Sequence, residues 1–230
     1  MTASDNHRLN KFLAHSLGLS RREADDIITA GRVTIDGRTA ELGARFNPGQ
    51  KLELDGKALD LSAPAYTYLA LNKPGGYVCS RRPQGDWPTI YQLLPDKYHR
   101  LKTVGRLDRD SSGLLLLTDD GDFTFMMTHP KFHKTKTYEV GLDQPLQPLH
   151  RQMVSDHGIQ LEDGLSRLQL ERINDDDDTA WRVMMHEGRN RQIRRTFAVL
   201  GYQVTRLHRT QFGPYDLGDL KAGEFESAKA

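Results

Sequence analysis

A chain of 230 residues with 37% hydrophobic and 27% charged residues has room for one large domain, or for a catalytic domain with a small appended module, and is too apolar to be disordered. No apolar run approaches the roughly 18 residues that span a bilayer, the start MTASDNHRLNKF lacks a signal peptide's apolar stretch, and the single Cys79 excludes an intramolecular disulfide and gives no zinc-ligand spacing. The formal net charge of +1 gives no sign of a nucleic-acid partner, so only the distribution of charge can; a cytoplasmic location without metal or redox cofactor is the resulting expectation.

Residues 7–60 read as two helices followed by short strands. Leu9, Phe12, Leu13, Ser16 and Leu17 recur at helical spacing, and Gly18 is placed to stop that helix. Ser20 with Glu23 three residues later is a capping-box pair, so a second helix begins there, buries Ala24, Ile27 and Ile28, and ends at Gly31. Val33 to Gly37 alternates and closes on Asp36-Gly37, and Lys51 to Gly56 repeats the pattern with Asp55-Gly56, two hairpin signals. Positions 1–60 hold nine basic and nine acidic residues, so a phosphate-binding surface there depends on position. Arg8, Lys11, Arg21, Arg22 and Arg32 lie near the two helix starts and the strand entry, where a folded helix pair can gather them; a plain structural cap is the alternative. The run RLNKFLAHSLGLSRREADDIITAGRVTIDGR resembles the small RNA-binding domain first described in ribosomal protein S4, which implies RNA binding.

Ser62-Ala63-Pro64-Ala65 reads as a linker, dividing an RNA-binding module at 7–62 from a catalytic domain at 66–230. Past it, strand-like stretches at 66–71, 113–118, 136–142, 167–173 and 180–186 alternate with helical ones at 89–94, 121–128, 147–157 and 190–200. No regular βαβ repeat emerges, so the expected class is α+β on a mixed, largely antiparallel sheet. Asn72 to Gly76 is a turn, for which a structural and an RNA-facing reading both stand; Lys73 with Arg81 and Arg82 can extend a basic track. Asn174 to Thr179 reads as a polar hairpin tip and not as a metal site.

Basic residues concentrate late in the chain. Residues 181–211 hold seven arginines (Arg182, Arg189, Arg191, Arg194, Arg195, Arg206 and Arg209) against one acid, Glu187, and residues 129–138 hold Lys131, Lys134 and Lys136 against none. Such segregation makes a local positive field able to neutralise phosphates. His208 and Arg209 sit in a basic strand where phosphate contact fits; Phe197, Val199 and Leu200 on the last helix read as core.

The most informative segment is Val104 to Gly121. Its polar loop carries Asp108, Asp110, Arg106, Arg109, Ser111 and Ser112, and leads at once into Leu114 to Leu117, an apolar run that reads as a buried strand. A carboxylate fixed beside a rigid element and among arginines stays ionised and can act as nucleophile or base. A turn or capping Asp is the structural alternative.

The run GRLDRDSSGLLLLTDDG resembles the catalytic motif of pseudouridine synthases, of the branch that modifies ribosomal RNA and carries an S4-like module. Lys136-Thr137-Tyr138-Glu139-Val140 and Glu187-Gly188-Arg189-Asn190-Arg191-Gln192-Ile193-Arg194-Arg195 resemble two further motifs in the family's order. The resemblance covers nearly the whole chain. It implies Asp108 as catalytic aspartate, Tyr138 as the tyrosine stacked on the target base, and Arg194 as the partner of Asp108. It also implies RNA contacts from Lys73, Arg106, Lys136, Arg189, Arg191 and Arg195, with Arg106 and Arg109 either touching phosphates or holding the loop. Arg191 stands where the family often has His, which leaves that contact open. The reaction implied breaks the bond from uracil N-1 to ribose C-1′, turns the base, and joins C-5 to C-1′, with no cofactor. Asp108 either attacks C-1′ or takes the C-2′ proton. The expected substrate is ribosomal RNA or a ribosome assembly intermediate, with the large-subunit RNA favoured by Gly188 to Arg195. The small-subunit RNA and a non-catalytic RNA-binding assembly factor are the alternatives, and a monomer is the family expectation.

Overall fold

The computed structural model describes residues 6–62 and 65–229. Ala63 and Pro64 of the expected linker lie outside the described residues. The chain divides into two compact units, Met1–Tyr66 and Thr67–Ala230.

In the first unit, α1 (Leu9–Ser16) and α2 (Arg21–Thr29) pack against a four-stranded antiparallel sheet of β1 (Val33–Ile35), β2 (Arg38–Thr39), β3 (Leu52–Leu54) and β4 (Lys57–Ala58), ordered β2-β1-β3-β4. The Ser20 hydroxyl accepts from the Glu23 amide at 3.2 Å while the Glu23 carboxylate accepts from the Ser20 amide at 2.6 Å, so the first turn of α2 has its free donors satisfied. Leu9, Leu13, Ala24, Ile28, Val33, Phe46 and Leu52 are the buried centre. The β1–β2 hairpin turns through Asp36 (φ 50°) and Gly37 (φ 79°), the left-handed pair that suits the twist of a two-residue loop.

The second unit is built on one mixed sheet. Its elements are β5 (Tyr68–Lys73), β6 (Ser112–Thr118), α3 (Gly121–Thr128), β7 (Lys136–Leu142), α4 (Pro148–Gln152), β8 (Gln169–Arg172), β9 (Ala180–Met185), α5 (Gln192–Val199), β10 (Val204–Phe212) and β11 (Phe225–Ser227). The strand order is β8-β9-β7-β10-β6-β5-β11. Among the described residues every pairing along this order is antiparallel except β10 with β6, which run parallel where His208 meets Ser112 and Arg209 meets Gly113.

Leu114 to Leu117 are all buried because the sheet is covered on both sides. Leu115 and Leu117 join Leu69 and Leu71 in the larger core with Trp181, Ile193 and Phe197, whereas Leu114 and Leu116 join Ala70, Phe123, Met127 and Phe212. The stretch read as helical at 89–94 is a 3-10 turn, Ile90–Leu93, hemmed between Pro88 and Pro95. At 147–157, α4 widens into a π-helical turn, Met153–His157. Asn174 to Thr179 joins β8 to β9 as a hairpin tip. Among the described residues no helix is long and apolar enough to cross a membrane, and no group of three or more His, Cys, Asp or Glu side chains can hold a metal ion.

Candidate active site

A cleft of about 500 Å³ opens in the second unit, lined by Gly105 to Asp108 from the polar loop, Lys136 and Tyr138 from β7, His186 to Ile193 ahead of and within α5, and Arg209 and Phe212 from β10. Asp108 and Tyr138, about thirty positions apart in sequence, thus share one wall system.

The loop bearing Asp108 is held from below through its backbone. Leu107 on one side and Ser111 on the other are buried. The Lys73 ammonium, wholly buried, donates to the carbonyls of Ser111 at 2.6 Å, Pro74 at 3.0 Å, Asp108 at 3.1 Å and Arg109 at 3.4 Å. The Cys79 thiol donates to Leu107 O at 3.3 Å, and the Gly76 amide to Arg109 O at 2.7 Å. Burial pushes the Cys79 thiol up, which keeps it a neutral donor. Burial also pushes the Lys73 ammonium down, against the attraction of the Asp110 and Asp108 carboxylates. Lys73 is therefore not an RNA contact: with no exposed surface it is an internal clamp, and the Asn72 to Gly76 turn serves the loop from within. Lys73→Met, which leaves these buried carbonyls without their donor, is expected to cost about 2–4 kcal/mol in urea denaturation; a cost below about 0.5 kcal/mol would show that the clamp carries no weight.

The arginines also differ from expectation. Arg194 does not reach the Asp108 carboxylate: its guanidinium donates to Val204 O at 2.6 Å and Asp110 O at 3.1 Å, and lies 3.3 Å from Asp110 Oδ2. Arg191 is the arginine at Asp108, 3.5 Å from Oδ2, while bridging both oxygens of Asp110 at 3.2 Å. The reason is local backbone. Arg191 precedes α5 in a left-handed conformation (φ 46°), at the cleft's rim, whereas Arg194 sits inside the helix and is absent from the cleft lining. Desolvation works to raise the Asp110 carboxyl, but the Arg191 hydrogen bond and the charges of Arg194 and Arg191 outweigh it and hold it below the usual range.

Of the other basic residues read from sequence, Arg106, Lys136 and Arg189 line the cleft with Arg191. Arg106 is exposed. Lys136 is half-buried, donates to Glu187 O at 3.2 Å, and is pushed down by burial and by the charge of Arg209. Arg189 is committed to protein: it pairs with Asp163 at 2.9 Å and Glu187 at 3.2 Å and donates to Gly164 O and Leu165 O. Arg195 is held by Asp163 at 2.6 Å and Asn190 O at 2.9 Å. These two arginines brace the 159–166 hairpin against the start of α5 and do not present free cations to RNA. In the first unit Arg8 and Arg22 are exposed, Lys11 is half-buried, Arg21 donates to Asn10 at 3.3 Å, and Arg32 makes a two-pronged pair with Asp55 at 2.9 and 2.5 Å.

Sequence reasoning missed the part played by Arg209. Only 2% exposed, it lines the cleft floor, donates from Nε to Leu114 O at 2.8 Å, lies 4.8 Å from the Phe212 ring centre, and leaves Nη2 without a hydrogen-bond partner among the described residues. An arginine between His208 and Thr210 gave no sign of burial. Gln192, 2% exposed, was also passed over; it donates to Ser166 Oγ at 3.1 Å and to the Glu187 carboxylate, and accepts from the Arg189 amide at 3.1 Å, fixing the turn into α5.

A family model described as RNA pseudouridylate synthase matches residues 67–199, and one described as S4 domain matches residues 7–52. The chain is 39% identical over 229 residues to the ribosomal small subunit pseudouridine synthase A of Pasteurella multocida (strain Pm70), covering 97% of this chain and 96% of that one. It is 32% identical over 222 residues to the ribosomal large subunit pseudouridine synthase B of Bacillus subtilis (strain 168), covering 94% and 90%. A crystal structure of a pseudouridylate synthase superposes with a TM-score of 0.68 at 34% identity, over 97% of this chain and 96% of that one.

Proposed function

The chain belongs to the RNA pseudouridylate synthase family, and from that premise we propose that its cleft converts uridine to pseudouridine in ribosomal RNA with Asp108 as the reacting carboxylate. The observation that carries this reading is the meeting of Asp108, its side chain 35% exposed, with Tyr138 in one cleft, both from segments within residues 67–199 that the family model matches.

The target uridine leaves its stack at a cost of about a few kcal/mol. The Tyr138 ring offers a face to the extruded base, an interaction worth roughly 1–3 kcal/mol. Asp108 then either bonds to C-1′ as N-1 departs, a bond that breaks when C-5 attacks C-1′, or takes the C-2′ proton and returns it to C-2′ as C-5 joins C-1′. In both routes the bond from N-1 to C-1′ breaks, C-5 bonds to C-1′, the C-5 proton is lost and N-1 gains one, so the base is an isomer and no co-reactant is consumed. Arg191 orients the carboxylate and Asp110 holds Arg191; Arg194 acts one step further back. Arg191→Ala is expected to lower kcat by roughly a hundredfold, the scale of a misplaced reacting group. Arg194→Ala should instead cost about 1–3 kcal/mol of stability through Asp110 and Val204. Steady-state kinetics beside thermal denaturation would separate them, and an equal loss of kcat in Arg194→Ala at unchanged stability would sink this division of labour.

Relatives named for the small subunit and relatives named for the large subunit each cover more than nine-tenths of this chain, at 39% and 32% identity, so the substrate class is ribosomal RNA and the preference for large-subunit RNA has only Gly188 to Arg195 behind it. On this reading the enzyme works in the cytoplasm, where ribosomal RNA is assembled, on free RNA or an assembly intermediate. Exposed Arg8 and Arg22 in the unit matched by the S4 model supply cations for an RNA backbone. The experiment is to incubate the protein with small- and large-subunit ribosomal RNA and map pseudouridine. One modified site in one RNA is expected. RNA bound tightly but never modified would favour the assembly-factor reading.

A further inference from the structure

Helix α3 buries Phe123 and Met127 against the sheet, yet beyond the exposed Asp122 of its first turn the outer side is apolar: Phe125 is 47% exposed and Met126 39%. A helix on a sheet ordinarily turns charged or polar residues outward. Phe125 is joined by more exposed rings. The Phe132 ring, 38% exposed, meets it edge-on at 5.7 Å, and His129 lies 4.6 Å away. The Lys131 ammonium stands over both phenyl rings, 4.9 Å from one centre and 4.7 Å from the other.

The arrangement is held by backbone. His129 Nδ1 accepts from the Lys131 amide at 3.3 Å, Pro130–Phe132 form a 3-10 turn with proline at its start, and the turn closes at His133 in a left-handed conformation (φ 47°). Two members of this segment, Thr128 and Pro130, line the cleft. The face is therefore continuous with the site that holds Asp108 and Tyr138.

Charge narrows the occupant. From Phe123 to Tyr138 the chain has no acid, and it carries Lys131, Lys134 and Lys136. An apolar protein partner would cover the rings but would leave the Lys131 and Lys134 ammonium groups unanswered, Lys136 being engaged with Glu187 O inside the cleft. A nucleic-acid strand supplies a π-face for each ring and a phosphate for each cation. We propose that Phe125, His129 and Phe132, with Lys131 above them, form a stacking platform for the single-stranded RNA flanking the target uridine, an inference that rests on the reading of the cleft as an RNA-modifying site.

The test is binding of a short uridine-containing single-stranded oligoribonucleotide by the full chain and by Phe125→Ala/Phe132→Ala, with melting temperature and oligomeric state measured on both. The double variant is expected to bind roughly tenfold more weakly or worse at an unchanged melting temperature. Phe125→Tyr/Phe132→Tyr, which keeps the faces, should bind as the wild type does. Lys131→Gln should reduce the slope of log affinity against log salt by about 0.7. Equal affinity in the alanine variant overturns the platform, and equal affinity with a loss of self-association assigns the face to a second copy of this chain. Weakened binding beside a wild type that makes no pseudouridine would leave the platform standing and remove the enzymatic reading, so the two fail separately.

Discussion

Asp108→Asn is expected to abolish pseudouridine formation, with a fall in rate on the order of 10⁴ or more, while leaving the protein folded and bound to RNA. An amide of the same shape neither bonds to C-1′ as a carboxylate does nor takes the C-2′ proton. The fold should hardly notice the exchange. The side chain is 35% exposed and its one ion pair among the described residues, to Arg191, spans 3.5 Å, so its loss costs less than about 1 kcal/mol. The loop is positioned through backbone carbonyls gripped by Lys73, Cys79 and Gly76, and none of these contacts involves the Asp108 carboxylate. Single-turnover assays with thermal melts and RNA-binding isotherms check both halves. Activity within tenfold of wild type would remove Asp108 from the chemistry.

The largest effect on stability should come from Gly113→Ala. Gly113 sits at the parallel junction of β6 and β10 with φ 103°, and an added Cβ would lie 2.2 Å from Arg209 O and 2.6 Å from Arg209 N. These are backbone atoms of a strand that also pairs with β7, so the neighbour cannot step aside. Steric overlap and a backbone conformation hostile to alanine together should cost about 3–5 kcal/mol. Because Arg209 and Ser111 flank the junction, the Asp108 loop should lose its order in the same event. Gly75→Ala, where an added Cβ meets nothing within 4 Å, serves as the control and should stay within about 0.5 kcal/mol. Chemical denaturation of the two variants decides; a Gly113→Ala midpoint equal to that of wild type would contradict this account of the junction.

What could be read from sequence was whatever is encoded locally. Ser20 and Glu23 specify a helix start by themselves, Asp36-Gly37 specifies a tight turn, and Leu114 to Leu117 beside a polar loop specifies a buried strand carrying the loop. Asp108 and Tyr138 were legible through motif resemblance, and the fold brings both to one cleft. Contacts set by distant backbone were hidden. Lys73 looks like any surface lysine until β5 carries it beneath a loop some 35 residues away in sequence. Which arginine faces Asp108 turns on one left-handed residue, Arg191, at the start of α5, and spacing along the chain carries no trace of it. His208 and Arg209 read as part of a basic strand, and β10 is that strand, but nothing local in Val204 to Phe212 tells that it joins the two halves of the sheet. Residues 89–94 kept a helical pattern, but the flanking prolines confine them to a 3-10 turn.

The reading of Asp108 as the carboxylate of an isomerase is tested most directly with ribosomal RNA carrying tritium at C-5 of uridine. Joining C-5 to C-1′ expels that hydrogen into water, whereas RNA binding or glycosidic hydrolysis does not. The account predicts that the wild-type protein releases tritium in step with pseudouridine formed at its site, with no free uracil, and that Asp108→Asn releases none. Free uracil as product, or no release from the RNA of either subunit, would contradict it.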